Sequence, residues 1–86
     1  FLLVALLKKS GDLKDAIHVL NDHNAQFPND IWSRFETAKI QSLAGDRKAS
    51  LSALVQAKKL IRTESEREKF KAGLRDRDFD NVRSVA

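Results

Sequence analysis

A Gly-Asp pair that returns after 34 positions constrains this chain more than anything else in it: "GDLKDAIHVL" starts at Gly11 and "GDRKASLSAL" at Gly45. Each pair is followed by a Lys two places after the Asp, and then by small and branched apolar residues. Glycine accepts the left-handed backbone that ends a helix, and the Asp after it can accept hydrogen bonds from the free amides of the next helix. Each Gly-Asp therefore predicts a hairpin turn between two helices, and a fixed interval between such turns predicts an internal repeat.

The apolar spacing agrees. Leu13, Ala16, Ile17, Leu20, His23 and Phe27 fall at three- and four-residue steps, as do Leu51, Leu54, Ala57 or Lys58, and Ile61, and no stretch alternates as a strand would. Pro28, followed by Asn29 and Asp30, stops the second helix and caps the third, while Thr63 and Glu66 have the spacing of a capping box. The expectation is an all-α chain of about five helices, at about 1–9, 13–26, 30–43, 47–61 and 64–73, plus a short C-terminal turn. Superposition at the repeat interval pairs Val4 with Ala38 and Ala72, Ala16 with Ser50, Ile17 with Leu51 and Leu20 with Leu54. With 86 residues the chain makes one small domain, divided as 1–29, 30–62 and a partial third unit or cap at 63–86. The hairpins are expected to share one apolar seam.

These residues resemble the tetratricopeptide repeat family, whose unit is a helical hairpin of about 34 residues. The likeness rests on the two Gly-Asp turns, small Ala38 and Ala72 where paired helices approach, small Ala16 and Ser50, Ala57 near the end of a second helix, and Pro28 closing the first unit. It departs at His23, which stands where Ala57 stands, at Arg62 in place of a proline, and at Trp32, which lies two residues before the family's usual tryptophan. The third Gly-Asp is replaced by Phe79-Asp80, so the last unit is degenerate, with Phe79 and Val82 expected to tuck onto the last hairpin. The resemblance implies a right-handed stack of antiparallel hairpins with a concave groove.

In such a stack Trp32, Phe35, Lys39 and Ser42 take groove-lining positions, which would suit a peptide or partner helix that brings an apolar anchor and a carboxylate. The alternative is that Trp32 and Phe35 pack against the preceding hairpin. The family's clamp for a C-terminal carboxylate is not expected, because the corresponding positions read Phe1, Ala5, Glu36, Glu66 and Phe70, and a Glu repels that charge. The resemblance thus implies a non-catalytic module that binds a protein or peptide.

Other features limit the remaining possibilities. The positive charge is C-terminal: residues 1–44 carry five bases and five acids, residues 45–86 eleven and seven. Lys58, Lys59 and Arg62 either offset the negative end of the fourth helix or form a basic spot for an acidic partner or an RNA backbone; acids interrupt the bases, so nucleic acid is not the expected partner. His18 and His23 are five residues apart and point about 140° away from each other on a helix, so they cannot grip one metal together. His18 and Asp22 read as surface decoration, and His23 as a tolerated core residue. Without cysteine, tyrosine or a Gly-rich phosphate loop, no pattern calls for a cofactor or for catalysis.

Residues 1–7, "FLLVALL", are apolar all round and too short for the ~20 residues of a membrane span, so no membrane insertion is expected. Such a helix must be covered on every side. The expectation is that further hairpins precede Phe1 in a longer chain, or that two copies associate through Phe1, Leu2, Leu3, Leu6 and Leu7, which would make the chain a spacer or dimerising module.

Overall fold

The computed structural model describes residues 2–76 and 79. It is helical throughout: α1 Leu2–Lys9, α2 Leu13–Gln26, α3 Ile31–Leu43, α4 Arg47–Lys59 and α5 Glu64–Gly73, with no strand among the described residues. Consecutive helices pack as antiparallel pairs, α1 on α2, α2 on α3 and α3 on α4. The fourth helix ends at Lys59, slightly before the expected boundary, because Leu60 turns its amide onto the Ala57 and Lys58 carbonyls and closes the last turn.

The two Gly-Asp turns are the same bond for bond. Gly11 and Gly45 have φ of 85° and 84°. The Gly11 amide donates to the Lys8 carbonyl and the Asp12 amide to Leu7; the Gly45 amide donates to Ser42 and the Asp46 amide to Gln41. This is the double closure in which the two residues after the helix satisfy its last free carbonyls. The turns differ in what the aspartate does next. Asp46 caps α4 by accepting from the Ala49 amide at 3.1 Å. Asp12 makes no such bond, contrary to expectation, because its carboxylate is drawn back to the Ser10 hydroxyl, which donates to it at 2.8 Å.

Between the hairpins, Asp30 caps α3 by accepting from the Trp32 and Ser33 amides, each at 3.1 Å, and takes a third bond from His23 Nε2 at 2.8 Å. His23 is therefore a half-buried polar tie between α2 and the cap of α3, its ring 4.9 Å from that of Phe27, and not simply a tolerated core residue. Partial burial pushes the Asp30 carboxyl up. The His23 hydrogen bond, the Ser33 amide, the His23 charge and the Trp32 amide together outweigh it and hold the group below its ordinary value. At the start of α5 the capping box is complete: the Glu66 amide donates to Thr63 Oγ1, while the Arg62 and Thr63 amides both donate to Glu66 Oε1.

The core falls into two clusters. Val4, Ala16, Leu20 and Ile40 fill the first hairpin and its junction with α3. Ile31, Phe35, Ala38, Ala53, Ala57, Phe70 and Phe79 fill the second hairpin and its junction with the C-terminal segment. Between them the α2–α3 seam is not purely apolar, as the sequence suggested, but carries a closed polar ring. Buried Ser33 donates its hydroxyl to Asn24 Oδ1, Asn24 Nδ2 donates to Thr37 Oγ1 at 3.1 Å, and Thr37 donates to the Ser33 carbonyl at 2.9 Å. Every buried group in that ring has a partner, which is what lets a polar seam exist in a thin core.

One repeat correspondence shifts by a residue. Ala38 is fully buried, but Ala72 is exposed, and the close approach of α5 is made by Gly73: a Cβ there would stand 2.5 Å from Phe35 Cζ. The register of α5 turns Gly73 toward α3, so the absence of a side chain at 73 is what admits the aromatic ring.

Candidate functional site

The inward face of α4 is Ser50, Ala53 and Ala57, at three- and four-residue steps and all buried against α3. These small side chains let the two helices approach, and they leave the longer residues on the adjoining face, Leu51 and Val55, turned outward with 44% and 53% exposure. Exposed residues of this size are ordinary singly; as an i,i+4 pair beside a concavity they form a surface.

That concavity lies between α4 and α5. It has a volume of about 510 Å³ and is lined by Leu51, Leu54, Val55, Lys58, Ile61, Arg67, Phe70, Lys71 and Leu74. Two observations explain why it stays open. The capping box fixes where α5 begins, and Phe70 and Gly73 pull its far end onto Phe35, so α5 leans on α3 and leaves its flank beside α4 uncovered. Among the described residues the lining holds no carboxylate, hydroxyl or imidazole. It offers apolar contact and positive charge. Among the described residues no group of three His, Cys, Asp or Glu stands at metal-binding spacing, and no helix is long and apolar enough to cross a membrane.

A second concavity of about 260 Å³ crosses α2, α3 and α4, and its lining includes the side-chain amides of Asn24, Gln41 and Gln56. Arg34 spans it, donating from Nε to the Pro28 carbonyl and from Nη1 to Gln56 Oε1, each at 2.9 Å. Arg34 thereby acts as a brace between the Pro28 turn and α4.

The α3 face singled out in the sequence is occupied. Phe35 is buried, and its ring meets those of Phe70 and Phe79 edge-on, each at 5.3 Å. Ser42 is fully buried, and Lys39 is held by Asp76 at 3.2 Å and Glu36 at 3.7 Å. Trp32 is half-buried, 6.2 Å from Phe35, with Lys69 Nζ 4.7 Å from its ring centroid. The expectation that Trp32, Phe35, Lys39 and Ser42 line an open groove is therefore corrected for Phe35 and Ser42, which are core. The physical reason is that burying a Phe side chain is worth about 2–3 kcal/mol, and α5 together with Phe79 supplies the cover. The chain itself brings an aromatic ring and a carboxylate to this face, the pair of groups the sequence suggested for a partner. Phe79 tucks onto the second hairpin as expected, and Val82 lies outside the described residues.

Of the predicted basic residues, Lys58 lines the α4–α5 cleft; Lys59 and Arg62 are exposed away from it, and the Arg62 amide is bound to Glu66. The bases that accompany Lys58 are Arg67 and Lys71. A signal for them was present: Leu51, Val55 and Lys58 on one helix, and Arg67, Lys71 and Leu74 on and just past another, each run at three- and four-residue steps. In α1, Val4 is buried and Leu7 half-buried, while Leu3 and Leu6 are 55% and 56% exposed. Phe1 lies outside the described residues, and Leu2 is placed only by its position in the helix. Comparison with protein-family models, with curated proteins and with solved structures finds no match to this chain.

Proposed function

We propose that this chain is a non-catalytic protein-interaction module, a helical-hairpin stack of tetratricopeptide type that receives a helix of a partner protein in the cleft between α4 and α5. The bond-for-bond identity of the Gly11 and Gly45 turns, at the family's interval, supports the repeat reading. The observation that carries the binding reading is the cleft: apolar side chains that a folded helix pair would normally bury are left open, with cations at the rim. Groove shape comes from helix stacking and specificity from the few side chains on its walls.

Selection of displayed helical peptides on the chain tests this. Binders are expected to share an apolar stripe and to lose affinity for Val55→Asp, a change at an exposed position that leaves the thermal melt in place. Binders indifferent to that substitution, or a selection that yields none, overturn the reading.

The exposure of Leu3 and Leu6 favours a second reading, self-association through α1. It expects a concentration-dependent dimer by sedimentation equilibrium that Leu3→Glu returns to monomer. A monomer at every concentration removes it.

A further inference from the structure

We infer that the helix taken by the α4–α5 cleft is an acidic one, with Asp or Glu on both sides of a short apolar stripe. This rests on the cleft being a docking site at all, as proposed above, and adds the chemistry of what docks.

The two walls have helical geometry. Leu51, Val55 and Lys58 run down α4, and Arg67, Lys71 and Leu74 run along α5. Each wall spans seven residue-to-residue steps (58 minus 51, 74 minus 67), a length of about 10 Å at the rise of an α-helix. A trough between two helices, about two turns long, fits the face that a third helix presents through anchors at i, i+3 or i+4, and i+7. Leu54 and Phe70 form the floor for those anchors.

Charge then decides which helix. Cations stand on both walls, Lys58 on one and Arg67 and Lys71 on the other. Among the described residues Lys58 and Lys71 are in no ion pair, and Arg67 has an exposed contact to Glu64 at 3.8 Å. A helix flanked by bases meets like charge on both sides; one flanked by carboxylates finds a partner on each. The same comparison disfavours α1 of a second copy, whose "LLVALLKK" has two lysines and no acid. It also disfavours nucleic acid, because Phe70 is buried and offers no face on which a base could stack.

The test uses the full chain and two labelled, helix-stabilised synthetic peptides with the same three-leucine stripe, one flanked by Glu and one by Lys, read by fluorescence anisotropy. The Glu peptide is expected to bind about tenfold more tightly at low salt, the sum of a few exposed ion pairs. That preference should shrink with added salt and invert in Lys58→Glu/Lys71→Glu, whose two positions are exposed. Equal binding of both peptides overturns the acidic-partner inference and leaves the docking site standing; binding of neither overturns both. An RNA oligonucleotide that binds more tightly than the Glu peptide and is lost in the double variant also overturns the inference. A circular dichroism melt of the double variant matching the parent shows that charge, and not unfolding, is being read.

Discussion

Ser50 Oγ donates a hydrogen bond to the Ala38 carbonyl at 2.8 Å, from α4 to α3 and with both residues fully buried. The hydroxyl is small enough to sit at the contact, and it has a partner that does not interrupt α3, since a carbonyl has two lone pairs and the Ala38 oxygen can keep its place in the helix ladder. Ser50→Ala should therefore cost about 1 kcal/mol, a lost bond with no orphaned donor. Ser50→Leu forces the helices apart and should cost about 1–3 kcal/mol or more. Urea melts of the two variants check the order. If Ser50→Ala is the more damaging, the hydrogen bond and not the spacing holds the hairpin.

A different close contact governs α5. The Phe35 ring fits under Gly73 and is closed in on its other sides by Phe70 and Phe79, so it has little room to retreat from a new methyl group. Gly73→Ala improves helix propensity by about 1 kcal/mol in isolation, yet here it should destabilise the chain, by about 1–3 kcal/mol of overpacking. Phe35→Leu in the same background should recover part of the loss. A stabilised Gly73→Ala variant would mean that α5 does not lean on Phe35.

These contacts mark where the sequence is readable and where it is not. Gly11, Gly45, Pro28 and the Thr63–Glu66 pair act on neighbours in the chain, and each did locally what its chemistry dictates. Asp12 failed for an equally local reason, a competing hydroxyl at Ser10 that the repeat partner Ala44 lacks. The spacing of Trp32, Phe35, Lys39 and Ser42 put them on one side of α3 but could not say what covers Phe35, because Phe70 and Phe79 reach it from 35 and 44 residues away (70 minus 35, 79 minus 35). The cleft was hidden for the same reason: nothing near Leu51 and Val55 in the chain says that the far end of α5 packs on Phe35 of α3.

Asp30 makes stability depend on acid. Its carboxyl is held below its ordinary value of 3.8 in the folded chain. A depressed folded value means that the unfolded chain binds the proton first, so the stabilisation is fully present above about pH 4 and drains away as pH falls through the folded value. Glu66 acts in the same direction, held below its ordinary 4.5 first by the Arg62 amide and then by Thr63. Asp30→Asn keeps an oxygen for the Trp32 and Ser33 amides but gives up the charge facing His23. The variant should be less stable than the parent at pH 7, and the gap should close toward pH 3. A gap that stays constant across that range would show that the cap geometry, and not the charge, carries the effect.

The cap of α5 links this bonding to function, because Thr63 does not itself line the cleft, yet its carbonyl accepts from the amide of the cleft residue Arg67 at 3.1 Å and it sets where one of the walls begins. Thr63→Ala leaves the Glu66 amide without its acceptor and should cost the first turn of α5 about 1 kcal/mol. Amide exchange in α5 should then quicken about fivefold while exchange in α2, at the far side of the polar seam, stays as it was. Binding of an acidic helical peptide should weaken by no more than that same factor, since only the fraction of molecules with α5 frayed is lost. Equal acceleration in α2 and α5 would mean that the stack opens as one unit, and the cleft could not then be tuned through its cap alone.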